Sequence, residues 1–237
     1  MAQETITWEH GVAHFHSLYP SKYALNYLRL DDPGTLTVDE LIAHCEAIMR
    51  PRNLGHRRVN GWGPDGGPFY EEMGEKSWNR DRLIVMAHDT EIRTRPIVDV
   101  VELPFDELKP AMVAFDTSED RNPTEVAVEL VESRTAVIEA VDTTFLAARI
   151  GDAIGGWCEL YVRDDVAQVE NVMTFPDYRN RGVASSVVNE ALRRAYTGGA
   201  EIVFLFADSD DWPKELYEKL GFTIVDHFWE YTQPNDS

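Results

Sequence analysis

Arg179, Asn180, Arg181 and Gly182 follow a strand-like apolar run that breaks at Pro176, and they lead straight into a helical pattern. Val183, Val187, Val188, Ala191, Leu192 and Ala195 recur at helical spacing until Gly198 and Gly199 stop the helix. The arginines therefore stand at a helix N-terminus. Backbone N–H groups without intrahelical partners and the positive end of the helix dipole favour an anion there, and each guanidinium adds a full charge with several donors. Gly182 lets a bulky ligand approach the backbone. This is a design for holding phosphate.

The same turn resembles the signature of the GCN5-related N-acetyltransferases, the GNAT superfamily. Their turn reads Gln/Arg-x-x-Gly-x-Gly/Ala and cradles the pyrophosphate of acetyl-CoA, and here Arg179, Gly182 and Ala184 fill its three defining places. A second landmark lies downstream, where Leu216-Tyr217 and Gly221-Phe222 resemble the family's Leu-Tyr-x-x-x-Gly-Phe helix. Between the two, the continuous apolar run from Ile202 to Ala207 has the character of a strand buried on both faces. The order strand, phosphate turn, helix, buried strand, helix with Tyr217, final strand is the family's order.

The resemblance implies acetyl-CoA as acyl donor and assigns residues to it. Main-chain N–H groups from Asn180 onward, through Arg181, Gly182, Val183, Ala184 and Ser185, would hold the pyrophosphate together with Arg179. Thr174 would pair with the pantetheine arm like an added strand, and the N–H of Val172 or Met173 would bond the thioester oxygen at a bulge the family carries in this strand. Asp210 stands where many relatives have an asparagine touching the cofactor, a departure that leaves this contact open. A free alkylamine is mostly protonated at neutral pH, so a carboxylate base is useful, and Glu170 is the candidate; its alternative is a solvent-facing strand carboxylate. Tyr217 occupies the position of the family's general acid, with core packing as the competing role. Arg193 and Arg194 sit near the negative end of their helix, where cations are stabilised.

Composition bounds the partners. The formal net charge is −20, with 42 acidic against 22 basic residues, only five of them lysine. Such a surface repels nucleic acid and anionic membranes, so neither is expected as a partner. The acidity either attracts a cationic substrate or only serves solubility, in a high-salt cytoplasm for example. No apolar run is long enough to span a bilayer and no signal-peptide pattern opens the chain, so a cytoplasmic location is expected. Cys45 and Cys158 fall on apolar faces and read as core thiols. His10, His14 and His16 cluster without a cysteine or carboxylate at recognisable ligand spacing, so no metal is expected. The glycine-rich run from Gly61 to Pro68 lacks the Lys-Ser/Thr of a P-loop, and no Gly-x-Ser-x-Gly supports a hydrolase. Trp8, Trp62 and Trp78 line a pocket or fill a core.

The elements that must position these residues divide near residue 95. Thr94, Arg95 and Pro96 read as a connector, and a first strand of a second domain follows before Pro104. Residues 105–115 and 122–141 read as two helices, the second with Asn122 as cap, Pro123 at the first helical position and Glu125 in a capping box. Residues 143–150, 153–163 and 166–174 read as strands joined by hairpin turns at Gly151-Asp152 and Asp164-Asp165. The fold class is α+β: over 96–237 a GNAT-like mixed, mostly antiparallel sheet flanked by helices, preceded over 1–95 by a smaller α+β partial repeat of the same plan.

The repeat rests on Phe69-Tyr-Glu-Glu-Met-Gly74, which echoes the Leu216 to Gly221 string, and on Thr37-Val-Asp-Glu40, a capping box opening a helix with Val38, Leu41, Ile42, Cys45, Ile48 and Met49 on one face. Thr35, Thr37 and Val38 there take the places of Arg179, Arg181 and Gly182. With the cationic anchors and the glycine missing, and Asp31 and Asp32 just upstream, this copy is expected to bind no cofactor. An unrelated small domain is the alternative. The expected activity is acetyl transfer from acetyl-CoA to a primary amine of a small molecule or peptide, in a ternary complex; the alternative is a silent acyl-CoA sensor or partner-binding module. Homodimerisation is left open.

Overall fold

A computed structural model describes residues 2–92, 96–118 and 121–234. Thr94 and Arg95 of the expected connector lie outside the described residues. The chain forms two compact units: Met86–Ala207 with Asp211–Val225, and a first unit up to Val85 that also takes in Asp208–Asp210 and the chain from Asp226.

The unit that carries the expected phosphate turn starts with β6 (Asp99–Glu102), α3 (Phe105–Thr117), α4 (Thr124–Glu132) and α5 (Thr135–Ile138). A meander follows of β7 (Asp142–Ile150), β8 (Ala153–Arg163) and β9 (Val166–Thr174), then α6 (Val183–Thr197), β10 (Ile202–Asp208) and α7 (Pro213–Lys219). Strands lie in the order β6-β7-β8-β9-β10, antiparallel throughout except for the parallel β9·β10 pair. The meander follows its sequence pattern closely, because Gly151 and Asp164 adopt φ of 62° and 56°, the left-handed backbone that tight hairpins require.

Neighbouring residues of a strand point to opposite faces of the sheet. Trp157 packs edge-on against Phe115 of α3, and with Leu108, Met112, Val131 and Phe145 it forms the core on that face. Cys158 points the other way, its thiol 3.4 Å from the Val187 carbonyl of α6. Helices thus cover both faces. Cys158 and Cys45 are both free and buried, as core thiols, and burial pushes the Cys45 thiol up to about 12.

The helix expected over 122–141 is instead two. Pro123, not Asn122, is the residue flanking α4, no side-chain cap forms, and the Asn122 amide points to the Asp116 carbonyl at 3.4 Å. The break falls at Ser133 and Arg134. Ser133 Oγ donates to the Leu130 carbonyl and the Arg134 guanidinium turns inward to Glu159, which is fully buried.

In the first unit β1 (Glu4–Trp8), β2 (Gly11–Phe15), β3 (Tyr27–Leu30), α1 (Val38–Met49), β4 (His56–Trp62), α2 (Tyr70–Glu75) and β5 (Asn79–His88) follow in order, β5 running on past Val85. β1, β2 and β3 pair antiparallel, β3 and β4 pair parallel across α1, and the last residues of β11 (Phe222–Pro234) pair antiparallel with β4. Val38, Leu41, Cys45 and Met49 are the buried face of α1, against Leu28, Val59, Trp229 and Tyr231. Trp78 joins this core and Trp8 packs on it, whereas Trp62 is exposed. Strand, helix, parallel strand, short helix, strand is the succession in both halves of the chain.

Candidate active site

β9 is interrupted where the chemistry was expected. Trp157 of β8 faces Met173, but Glu159 faces Glu170, so two steps on β8 oppose three on β9 and the surplus residue lies at Asn171 and Val172. Asn171 takes φ 51° to make the bulge. β10 accompanies β9 over Val166, Ala167 and Gln168, and no pair forms beyond these among the described residues. A bulge of this kind bends its strand and ends pairing, which opens a cleft.

The chain then makes a single 3-10 turn at Pro176–Tyr178 and enters α6 through Asn180 and Gly182, with φ of 60° and 75°. Gly182 is the residue flanking α6; no side chain caps the helix and no acid lies in its first turn. The N-terminus is therefore chemically open to an anion. Here glycine is required by the backbone, and its Cα side is packed: a Cβ would lie 2.2 Å from Cδ1 of Ile97. The fully buried Ser186 hydroxyl accepts the N–H groups of Ile97 and Val98 at 3.1 and 3.2 Å, tying that segment to the first turn of α6.

A cleft of about 620 Å³ joins these parts. Val172, Met173, Thr174, Arg179, Asn180, Gly182, Val183, Ala184, Ser185 and Tyr217 all line it. Ten of the expected residues thus converge, from β9, from the turn into α6 and from α7. Sequence reasoning missed Phe115, Arg121, Tyr178, Trp212, Pro213 and Leu216 on the same wall. Arg121 stacks over the Phe115 ring at 4.7 Å, adding a second arginine to the cleft lining. Trp212 was the one visible signal, an exposed aromatic just before the Pro213 that opens α7.

Three expected residues are not among the lining. Arg181 turns over the Tyr178 ring at 5.7 Å. Asp210 accepts the Arg82 guanidinium on both carboxylate oxygens at 2.9 Å, within the first unit. Glu170 is half-buried one residue before the bulge and accepts from the Gln168 amide at 2.5 Å. Arg193 and Arg194 both pair with Glu190 on α6, which accounts for them structurally.

Tyr217 is buried, its ring 6.0 Å from Phe222. Burial, reinforced by the nearby Glu170 carboxylate, pushes its phenol up to about 12. Desolvation and a neighbouring negative charge both disfavour a phenolate, so this group keeps its proton. Behind β9, Glu159 accepts from Arg134 at 2.7 Å and from the Tyr161 hydroxyl at 2.5 Å. Arg134 and Glu159 are buried and Tyr161 is half-buried, and the three brace β8 opposite the bulge.

Residues 112–222 match the model of the Acetyltransferase (GNAT) family. An uncharacterized N-acetyltransferase of Methanocaldococcus jannaschii is 30% identical over 67 residues, 28% of this chain and 30% of that protein, so the matched stretch spans under a third of the relative. A functionally unknown conserved protein from Staphylococcus epidermidis superposes with a TM-score of 0.77 over 98% of this chain and 94% of its own, at 15% identity. A GCN5-related N-acetyltransferase from Kribbella flavida gives a TM-score of 0.65 over 99% and 91%, at 16% identity. At such identities these two likenesses speak to fold, and the fold is theirs. No helix among the described residues is long and apolar enough to cross a membrane. The bulged strand and the turn into α6 both lie within residues 112–222, the stretch that matches the Acetyltransferase (GNAT) family model.

Proposed function

We propose that the chain is an acetyl-CoA-dependent N-acetyltransferase acting on a primary amine of a small molecule or peptide by direct attack in a ternary complex. One observation carries the reading: a bulged strand edge and an open helix N-terminus face a single cleft that Tyr217 also lines. The pyrophosphate would sit on the N–H groups of residues 180–185, with Arg179 and Arg121 beside it. The pantetheine would run along Thr174, and the N–H of Val172 or Met173 would bond the thioester oxygen as negative charge develops.

In the reaction the amine nitrogen forms a bond to the carbonyl carbon, the C–S bond breaks, and the electron pair leaves with sulfur. The nitrogen loses a proton to Glu170 through water, and the thiolate leaves hydrogen-bonded to the Tyr217 phenol and takes its proton from solvent, to which Glu170 returns the one it accepted. A phenol held near 12 is a weak acid toward a thiolate whose conjugate thiol has a pKa of about 8.5, so Tyr217 mainly stabilises the departing sulfur by hydrogen bonding. Residues 1–95 are proposed as a degenerate partial repeat that serves as scaffold, with 96–237 as the catalytic part.

The test is thiol release from acetyl-CoA with a panel of amines. Turnover with an amine, and loss of CoA-induced thermal stabilisation in Arg179→Ala/Arg181→Ala, is the expected result. A folded double variant with undiminished CoA affinity would remove the phosphate turn from the reading, and CoA binding without turnover on any amine would favour a sensor.

A further inference from the structure

We propose that Glu9, His10 and His44 form a binding site for a divalent transition-metal ion of the zinc class, independent of the acyl-transfer reading. Glu9 and His10 occupy the turn between β1 and β2, and His44 projects from α1. One ligand atom from each lies within 4.8 Å of the other two. Two imidazoles and a carboxylate are a donor set suited to zinc and its neighbours, with water filling the remaining position. No sequence spacing announces it, since His44 is brought in from a different element.

The hydrogen bond behind His10 points the same way. His10 Nδ1 lies 3.0 Å from the Asp32 carbonyl oxygen, and a carbonyl can only accept, so Nδ1 carries the proton. That fixes the tautomer and leaves the Nε2 lone pair for a ligand, the arrangement by which a backbone carbonyl orients a metal-binding imidazole. The His10 and His44 rings are 6.0 Å apart, and Trp8 flanks both at 5.5 and 5.4 Å, giving the site an apolar wall. Bonds of about 2.1 Å in a tetrahedral set require donor atoms roughly 3.4 Å apart. The side chains must therefore close slightly on the ion, which an exposed Glu9 and half-buried histidines can do. The other histidines of this region are engaged elsewhere, His14 against Tyr27 and His16 stacked on Tyr19.

Binding would clip the β1–β2 turn to α1. Chelator-stripped, untagged full-length protein should take up one Zn(II) per chain by titration calorimetry, with a rise in melting temperature. Co(II) should quench part of the tryptophan emission, and Trp8→Phe should remove that quenching. His10→Ala and His44→Gln should each weaken Zn(II) binding at least about tenfold, a ligand mattering at least as much as a typical second-shell partner. His44→Gln keeps a helix-compatible polar residue, so it serves if His10→Ala fails to fold, and CoA binding should be unchanged in both. Zn(II) affinity equal to wild type in a folded His44→Gln variant, or no uptake by wild type at millimolar ion, overturns the site.

Discussion

At the scale of single residues, Tyr217 separates packing from chemistry. Tyr217→Phe keeps the ring against Phe222 and removes only the hydroxyl, so stability and CoA affinity should change little while turnover falls. General acid catalysis typically contributes 10²- to 10⁴-fold, and a phenol pushed up to about 12 should place the loss near or below the bottom of that range. Undiminished turnover on the best amine would return Tyr217 to the core. His56 offers a pH test in the other unit. Its ring is buried, stacked on Tyr23, with Nε2 2.8 Å from the Asn26 carbonyl oxygen, and burial holds it down near 4. The folded value lies below the unfolded one, so its contribution is present above about 6.5 and is lost as pH falls through about 4; the difference corresponds to at most about 3 kcal/mol. His56→Gln should flatten the fall of melting temperature between those pH values, and parallel curves for the two proteins would sink the assignment. Tyr217 was legible from its string of neighbours. His56 was not, because its state is set by Asn26 and Tyr23, residues that no local pattern ties to it.

Among the elements, the legible ones are those whose determinants are local. The meander of β7, β8 and β9 matches its expected bounds nearly residue for residue, since alternation and turn residues lie within each hairpin. The capping box at Thr37 likewise forms, with the Glu40 carboxylate accepting from the Thr37 N–H at 2.9 Å. The helix after Asn122 departs from its pattern because Arg134 is drawn to Glu159, a partner beyond the reach of helical periodicity. The cleft shows the same divide: residues 172–185 were readable as one stretch, but Phe115 and Arg121 reach it from α3 and the segment after it. The turn into α6 is the element most exposed to a test. At φ 75° and with Ile97 against its Cα, Gly182→Ala should cost about 1–2 kcal/mol of stability. It should also rotate the N–H groups that follow. Losing one hydrogen bond to a charged group costs about 1.5–3 kcal/mol, so CoA affinity should drop roughly tenfold or more by titration calorimetry. A destabilised variant with unchanged affinity would show that the phosphates sit elsewhere.

At the scale of the whole chain, the two successions of strand, helix and parallel strand differ most at the helix N-terminus, and on the proposed function that difference predicts the stoichiometry. α6 begins at a glycine with no side-chain cap and no acid in its first turn, beside Arg179. α1 begins at Thr37 with Asp39 and Glu40 in its first turn; the Glu40 carboxylate bonds the Thr37 N–H and hydroxyl, which hold it below the usual carboxylate range. The place a phosphate would take on α1 is thus filled by the chain's own anion, and Asp31 and Asp32 add repulsion from just upstream. The sequence shows this contrast directly. It does not show that the chain from Asp226 joins the first unit, because the pairing of β11 with β4 spans most of the sequence. The expected outcome is one CoA per chain. Arg179→Ala/Arg181→Ala should abolish that single event rather than expose a weaker second one, since no compensating cations stand at Thr35 and Thr37. Calorimetric titration of wild type and double variant under identical salt measures this, and salt must be held because an acidic chain and a polyanionic ligand repel more strongly when screening falls. Two equivalent sites in wild type, or residual binding that Thr37→Ala/Glu40→Ala strengthens, would mean that α1 still holds a phosphate and that the first half has not lost the cofactor.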